Sequence, residues 1–304
     1  MPNTFLTPDV IAKQALASLH ESTIMRPLVY TDLSTEFTGA KIGDTINVRK
    51  PAVFEAKKFV RSEGITIQDI DEDRIPVKVD HIPDVSVTVS HEELTMDIDN
   101  FDEQVITPAV QALAEYIDKA ILAERKNITQ VAGITPAGYE WNKPEVLIEA
   151  GRILNSHKVP ARDRTAVIGT EMNARWLNTD ILKQADTSGS TEALREAYLG
   201  RRLFSFDPYW TTNVEPPEGV PTTGQPTTEV GLAFHKSAFA FVSVPLEVAP
   251  GSMGSVQSYD GLSIRVTYQN DIKTKETIVS FDTLFGTKTL DANRAVLLKG
   301  ADAE

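Results

Sequence analysis

The sequence predicts an α+β protein built around one long helix, with an extended two-stranded arm leaving the body. Three observations carry this. Short runs of alternating apolar residues occur at both ends of the chain. One stretch of 28 residues, NFDEQVITPAVQALAEYIDKAILAERKN from Asn100, keeps helical periodicity throughout. Between them, VRKPAVFEAKKFVRSEG (48–64) and IQDIDEDR (67–74) are too charged to bury themselves.

The elements follow in order. Pro8 suits the first position of a short helix, with Thr7 as its N-cap and Asp9 at the positive end of the dipole. Ile11, Ala15, Leu16 and Leu19 share one face, and so short a stripe must lean on another element. DTINVRK alternates through Ile46 and Val48, RIPVKVDHI through Ile75, Val77 and Val79, and DVSVTVS through Val85, Val87 and Val89. Pro83 marks a bend or a sheet edge.

The charged stretch lies between the first two of these limbs. Arg49, Lys50, Lys57, Lys58 and Arg61 make one side basic; Asp69, Asp71, Glu72 and Asp73 make the other acidic. Its few apolar residues are scattered, so the reading is an antiparallel ribbon projecting from the body. Isolated ribbons are marginal in water, and its natural partner is another molecule.

The long helix opens on Asn100 with Glu103 at capping-box spacing and closes on Arg125 and Lys126. Its stripe is Val105, Ile106, Ala109, Leu113, Tyr116, Ile117, Ala120 and Ile121, with a kink expected at Pro108. Further along, 144–157 reads as a helix, RTAVIG as a buried strand, and TEMNARWLNT and STEALREAYLG as helices. RLFSFDPYW reads as a strand and NVEPPEGVPTTGQPTTE as a surface loop. Residues 230–248 read as buried sheet with a short helix, GSMGS as a turn, and GLSIRVTYQ, ETIVSFDTLFG and RAVLLKG as further strands.

Composition narrows the function. The 304 residues carry 30 basic and 43 acidic side chains, a net charge of −13, which disfavours binding to the outside of nucleic acid. There is no cysteine, hence no disulfide framework, thiolate zinc site or cysteine nucleophile. No apolar run is long enough to span a bilayer, and the N-terminus lacks the charged-then-apolar pattern of a signal peptide. The expectation is a soluble chain made in the cytoplasm.

Catalytic motifs are missing. HEEL at His91 lacks the second histidine of a zinc-binding helix. The acidic pairs Asp71/Asp73 and Asp97/Asp99 do not meet the pattern of a calcium loop and read as a solvated face and a helix start. No phosphate-binding glycine loop or nucleophile elbow occurs. Phe204, Phe206, Tyr209 and Trp210 could stack bases, but core packing is the favoured reading. No metal or cofactor is expected.

The order of segments carries a resemblance. NTFLTPDVIAKQAL…LVYTDLSTEF…KIGDTINVRKP, then SVTVSHEELTMDIDNFDEQVITPAVQALAEYIDKAI, then GLAFHKSAFAFVSVPLEVAPG with GLSIRVTYQNDI…FDTLFGTKTLDANRAVLL, span nearly the whole chain. Together they resemble the major capsid proteins of tailed double-stranded DNA bacteriophages, with the Hong Kong 97-like fold, in the coat-protein branch without a fused scaffolding domain. The resemblance implies an N-terminal arm at 1–40, an extended loop at 41–82, and a peripheral domain at 83–142 and 256–304 with a spine helix at 100–127. An axial domain would fill 143–255. It further implies an icosahedral shell of pentamers and hexamers, a separate scaffolding protein, a portal, room for a decoration protein, and double-stranded DNA enclosed without specific binding. The nine charged ribbon residues named above would then be contacts between subunits. Two other readings are an encapsulin-like nanocompartment shell and a metal-dependent hydrolase using His91 and the acidic pairs.

Overall fold

The computed structural model describes residues 8–31, 45–49, 61, 74–90, 105–134, 138–179, 202–217, 219–271, 273–274 and 276–303. Its helices are α1 (Pro8–Ser22), α2 (Thr107–Ala123), α3 (Val146–Ser156) and α4 (Thr170–Leu177). Its strands are β1 (Thr45–Arg49), β2 (Arg74–Lys78), β3 (Asp84–Ser90), β4 (Val131–Ala132), β5 (Arg164–Ile168), β6 (Asp207–Trp210) and β7 (Gly231–His235). The remainder are β8 (Phe239–Val244), β9 (Met253–Tyr259), β10 (Leu262–Asp271), β11 (Glu276–Asp282), β12 (Leu284–Thr289) and β13 (Ala295–Leu298).

A four-stranded antiparallel sheet, ordered β3-β11-β10-β9, joins strands from both ends of the chain. Alternation gives it two unlike faces: Leu262, Ile264 and Val266 enter the core, while Arg265 and Thr267 turn away from it. Asp260 and Gly261, both at positive φ (50° and 70°), make the two-residue turn between β9 and β10. That is the turn whose twist suits a hairpin. Arg265 bridges to Asp282 directly across the ladder through two hydrogen bonds, with Nε 2.9 Å from Oδ1. The apolar face is covered by α1 and α2, with Ile11, Ala12, Ala15, Leu16 and Leu19 of α1 all buried. The stripe that could not stand alone therefore rests on α2 and the sheet.

A five-stranded sheet, β4-β13-β7-β5-β6, lies beside it. β5 is buried along its whole length, as an interior strand covered on both faces must be. Val167, Leu232 and Phe234 face the first core; Ala166, Ile168 and Ala233 face a second core made with α3 and α4. β8 follows β7 through the short helical turn Lys236–Ala238 and pairs with β12.

Several expectations change. The spine α-helix is described from Thr107, preceded by a wider π-type turn at 105–106, so Pro108 sits in the first turn, where its missing N–H is tolerated. The capping pair Asn100 and Glu103 lies outside the described residues, as does STEALREAYLG. Tyr116 is exposed, not part of the buried stripe; the stripe runs through Val110, Ala114 and Leu122 instead. GSMGS is only half a turn, because β9 begins at Met253.

The aromatic cluster also departs from its reading. Phe206 is fully buried under the Arg164 guanidinium, but Phe204, Tyr209 and Trp210 are exposed, Trp210 by 51%. Among the described residues β6 lies at the edge of its sheet, paired on one side with β5.

Candidate assembly surface

The charged ribbon has a defined root. β1 and β2 pair antiparallel with Thr45 opposite Lys78 and Arg49 opposite Arg74. Of the nine charged residues expected to make contacts, Arg49 lies in β1 and Arg61 is exposed in a turn. Lys50, Lys57, Lys58, Asp69, Asp71, Glu72 and Asp73 lie outside the described residues. So do His91, Asp97 and Asp99. Among the described residues, no group of three or more histidine, aspartate or glutamate side chains is placed to hold a metal ion. Among them, too, no helix is long and apolar enough to cross a membrane.

The root is not free of the body, contrary to the expectation that the whole ribbon finds its partner elsewhere. Val77 and Val79 are buried against Ala240, Val242, Val244, Leu246 and Leu284. Backbone bonds between His81 and Phe285, at 3.1 and 3.0 Å, continue the seam. The His81 ring stacks on Phe285 at 5.1 Å between centroids, and Tyr116 of α2 meets Phe285 edge-on at 6.2 Å. Gly286 makes the close approach possible, since any side chain there would collide with the backbone of Lys78 and Val79. The physical reason is alternation: β2 carries one apolar row, and β8 and β12 offer an apolar surface beside it.

Buried charges fix the rest of the frame. Asp118, on the i, i+4 row Val110–Ala114–Asp118–Leu122, is 2% exposed. Its carboxylate accepts the backbone N–H groups of Ile24 at 3.1 Å and Met25 at 3.0 Å, tying the end of α1 to the spine. Burial pushes its pKa up to about 6, against the pull of those two donors. Arg26, also buried, donates to the carbonyl and carboxylate of Asp260 in the β9–β10 turn. The Arg26 guanidinium, helped by His20, holds the Asp260 carboxyl below its ordinary range.

Glu229, with no exposed surface, accepts the N–H groups of Glu171 and Met172 at 2.9 Å each and so caps α4. Arg164 is satisfied by the carbonyls of Val159 and Pro160 and by Asn155. Sequence reading passed over all four of these buried residues. Only Asp118 leaves a signal, a carboxylate on an otherwise apolar helical row.

No family model matches the chain, and no curated protein matches it. Solved structures do. A chain of Mycobacterium phage Che8 superposes with a TM-score of 0.65 at 18% identity, over 90% of each chain. The mature capsid of bacteriophage PhiM1 gives 0.55 at 12% identity, over 86% of this chain and 83% of that one. The capsid of cyanophage P-SCSP1u gives 0.54 at 13% identity, over 87% and 85%. This chain has a phage capsid fold. Within that fold, β1 and β2 pair, and the chain at Val77 and Val79 is seated against β8 and β12.

Proposed function

We propose that this chain is a structural, non-catalytic major capsid protein whose copies build an icosahedral shell around a phage double-stranded DNA genome. The observation that carries the proposal is a whole-chain likeness, over 90% of both partners, to a phage protein, joined by likeness to two phage capsids. The parts are proposed as an arm at 1–40, an extended loop at 41–82, a peripheral domain at 83–142 and 256–304, and an axial domain at 143–255. The helix within the proposed arm, α1, packs into the core with α2.

The arm suits this role. Twenty-four residues separate β1 from β2. Two limbs of half that length, at about 3.3 Å per residue, reach at most on the order of 40 Å. Such a limb spans onto a neighbouring copy. Arg49, Lys50, Lys57, Lys58 and Arg61 on one limb, and Asp69, Asp71, Glu72 and Asp73 on the other, would set the register of that docking. Each exposed pair contributes only about 0.2–1 kcal/mol, so the shell gains strength from the number of contacts and stays correctable during assembly.

The net charge of −13 favours a container that does not hold its duplex tightly. A separate scaffolding protein and a portal complete the proposed assembly in the host cytoplasm, and a decoration protein is compatible with it. The chain's place is then the virion. The test is co-expression with the scaffolding protein of the same phage, followed by negative-stain microscopy. Uniform closed shells are expected; monomers or amorphous material alone would overturn the proposal.

A further inference from the structure

Asp118 is a buried carboxylate with no ion pair among the described residues; Glu229 shares that trait, but its two amide donors belong to the start of a helix. Thr23 still bonds back to Leu19 of α1 at 3.2 Å, so Ile24 and Met25 carry the first two amides beyond that helix. Both donate to the two oxygens of one carboxylate on α2. The charged groups on the surrounding elements are engaged or turned outward. On α1, Asp9 pairs with Lys13, His20 binds Asp260, and Glu21 is exposed. Arg26, one residue beyond the clasped amides, also binds Asp260. On the sheet, Asp84 of β3 accepts from Ser86 and Ser280, and Asp282 of β11 pairs with Arg265, while Glu276 lies at the far end of its strand and Lys288 of β12 is exposed. On α2 itself, Lys119 pairs with Glu215 and Glu115 is exposed, and Glu124 beyond it accepts from Thr289.

We propose that Asp118 makes the α1–spine junction a proton-responsive clasp, which opens more readily when this carboxyl is charged than when it is protonated. In the closed junction the charge lies out of water with only two amide donors to replace its hydration. In the open junction it regains water. Closing therefore takes up a proton across the interval between the ordinary carboxyl value of 3.8 and about 6. The clasp is tightest below that interval, loosens as pH rises through it, and changes no further above it. Asp260 acts with the opposite sign, since its carboxyl is held below the ordinary value, and its titration lies beneath the interval. The interval bounds the change in the opening equilibrium at roughly 100-fold. The buried side chains of α1 keep the helix docked throughout, so the clasp governs local opening at residues 23–26.

Hydrogen exchange of the full chain, followed by mass spectrometry on peptides covering 20–28, tests this between pH 4.5 and 7.5 after correction for intrinsic exchange. The corrected opening constant should rise with pH and level off above about 6. In Asp118→Asn it should be flat across the range. Asp260→Asn should shift the whole profile without changing its shape. A flat profile in the unmodified chain overturns the proposal by itself, whether or not the asparagine variant folds. So does a pH-dependent profile retained in Asp118→Asn.

Discussion

Gly286→Ala probes the seam on which the ribbon root depends. A methyl group there would lie 3.0 Å from the Lys78 carbonyl carbon and 3.1 Å from the Val79 Cα, and still closer to the Lys78 carbonyl oxygen. These are backbone atoms with no soft side chain to yield, so β2 must move away from β12. The movement loosens Val77 and Val79, both essentially fully buried. Complete loss of that burial would cost about 3–6 kcal/mol, and overpacking with partial relaxation about 1–3 kcal/mol. For a chain of this size that lowers the melting temperature by roughly 2–10 °C. Gly151→Ala is the matched control: its methyl would sit 3.6 Å from Phe206, an ordinary contact, in the middle of α3. It should stabilise by about 0.5–1 kcal/mol. Calorimetry gives both melting temperatures, and hydrogen exchange at residues 74–82 locates the loss. An unchanged melting temperature and unchanged protection in Gly286→Ala would refute the claim that the root is anchored on its own body.

Other outcomes follow from the same packing. Glu229→Ala strands two buried helical donors and removes the charge at the start of α4; denaturant unfolding should show a loss of about 2–4 kcal/mol, and Glu229→Gln a smaller one. Phe206→Ala should cost about 3–5 kcal/mol, whereas Trp210→Ala, at an exposed position, should stay within about 0.5 kcal/mol by chemical denaturation of the unassembled chain. Reversing Lys57 and Lys58 together to Glu should leave the melting temperature of the unassembled chain unchanged but reduce the yield of closed shells in light-scattering and microscopy assays. Raising salt should weaken assembly of the unmodified chain in the same direction.

How much could be read beforehand depended on the range of the forces involved. Alternation marked β1, β2 and β3 because a two-residue repeat is written into consecutive side chains, and short apolar runs marked β5, β7, β8, β10 and β13. The 3.6-residue repeat marked α2 for the same reason, while Asp118, a carboxylate in an apolar row, was passed over. Tyr116 was misplaced because it lies beside that row, where one step of about 100° around the helix separates core from solvent. Phe204, Tyr209 and Trp210 were misread because their burial depends on what covers the edge of the sheet, which no local pattern records. Glu229 was invisible: it caps a helix almost sixty residues earlier in the chain.

The sequence alone determined the mixed helix-and-strand class, the spine helix, the stretch of opposed charges and the lack of local catalytic motifs, because each is a property of neighbouring residues. Only the tertiary structure decided that the ribbon's root is fastened to β8 and β12, that buried Asp118 and Arg26 hold the end of α1, and that Tyr209 and Trp210 of β6 are exposed. Those outcomes rest on contacts between residues far apart in sequence, and burial and desolvation are set by the packed neighbours a residue meets, not by the ones it is bonded to.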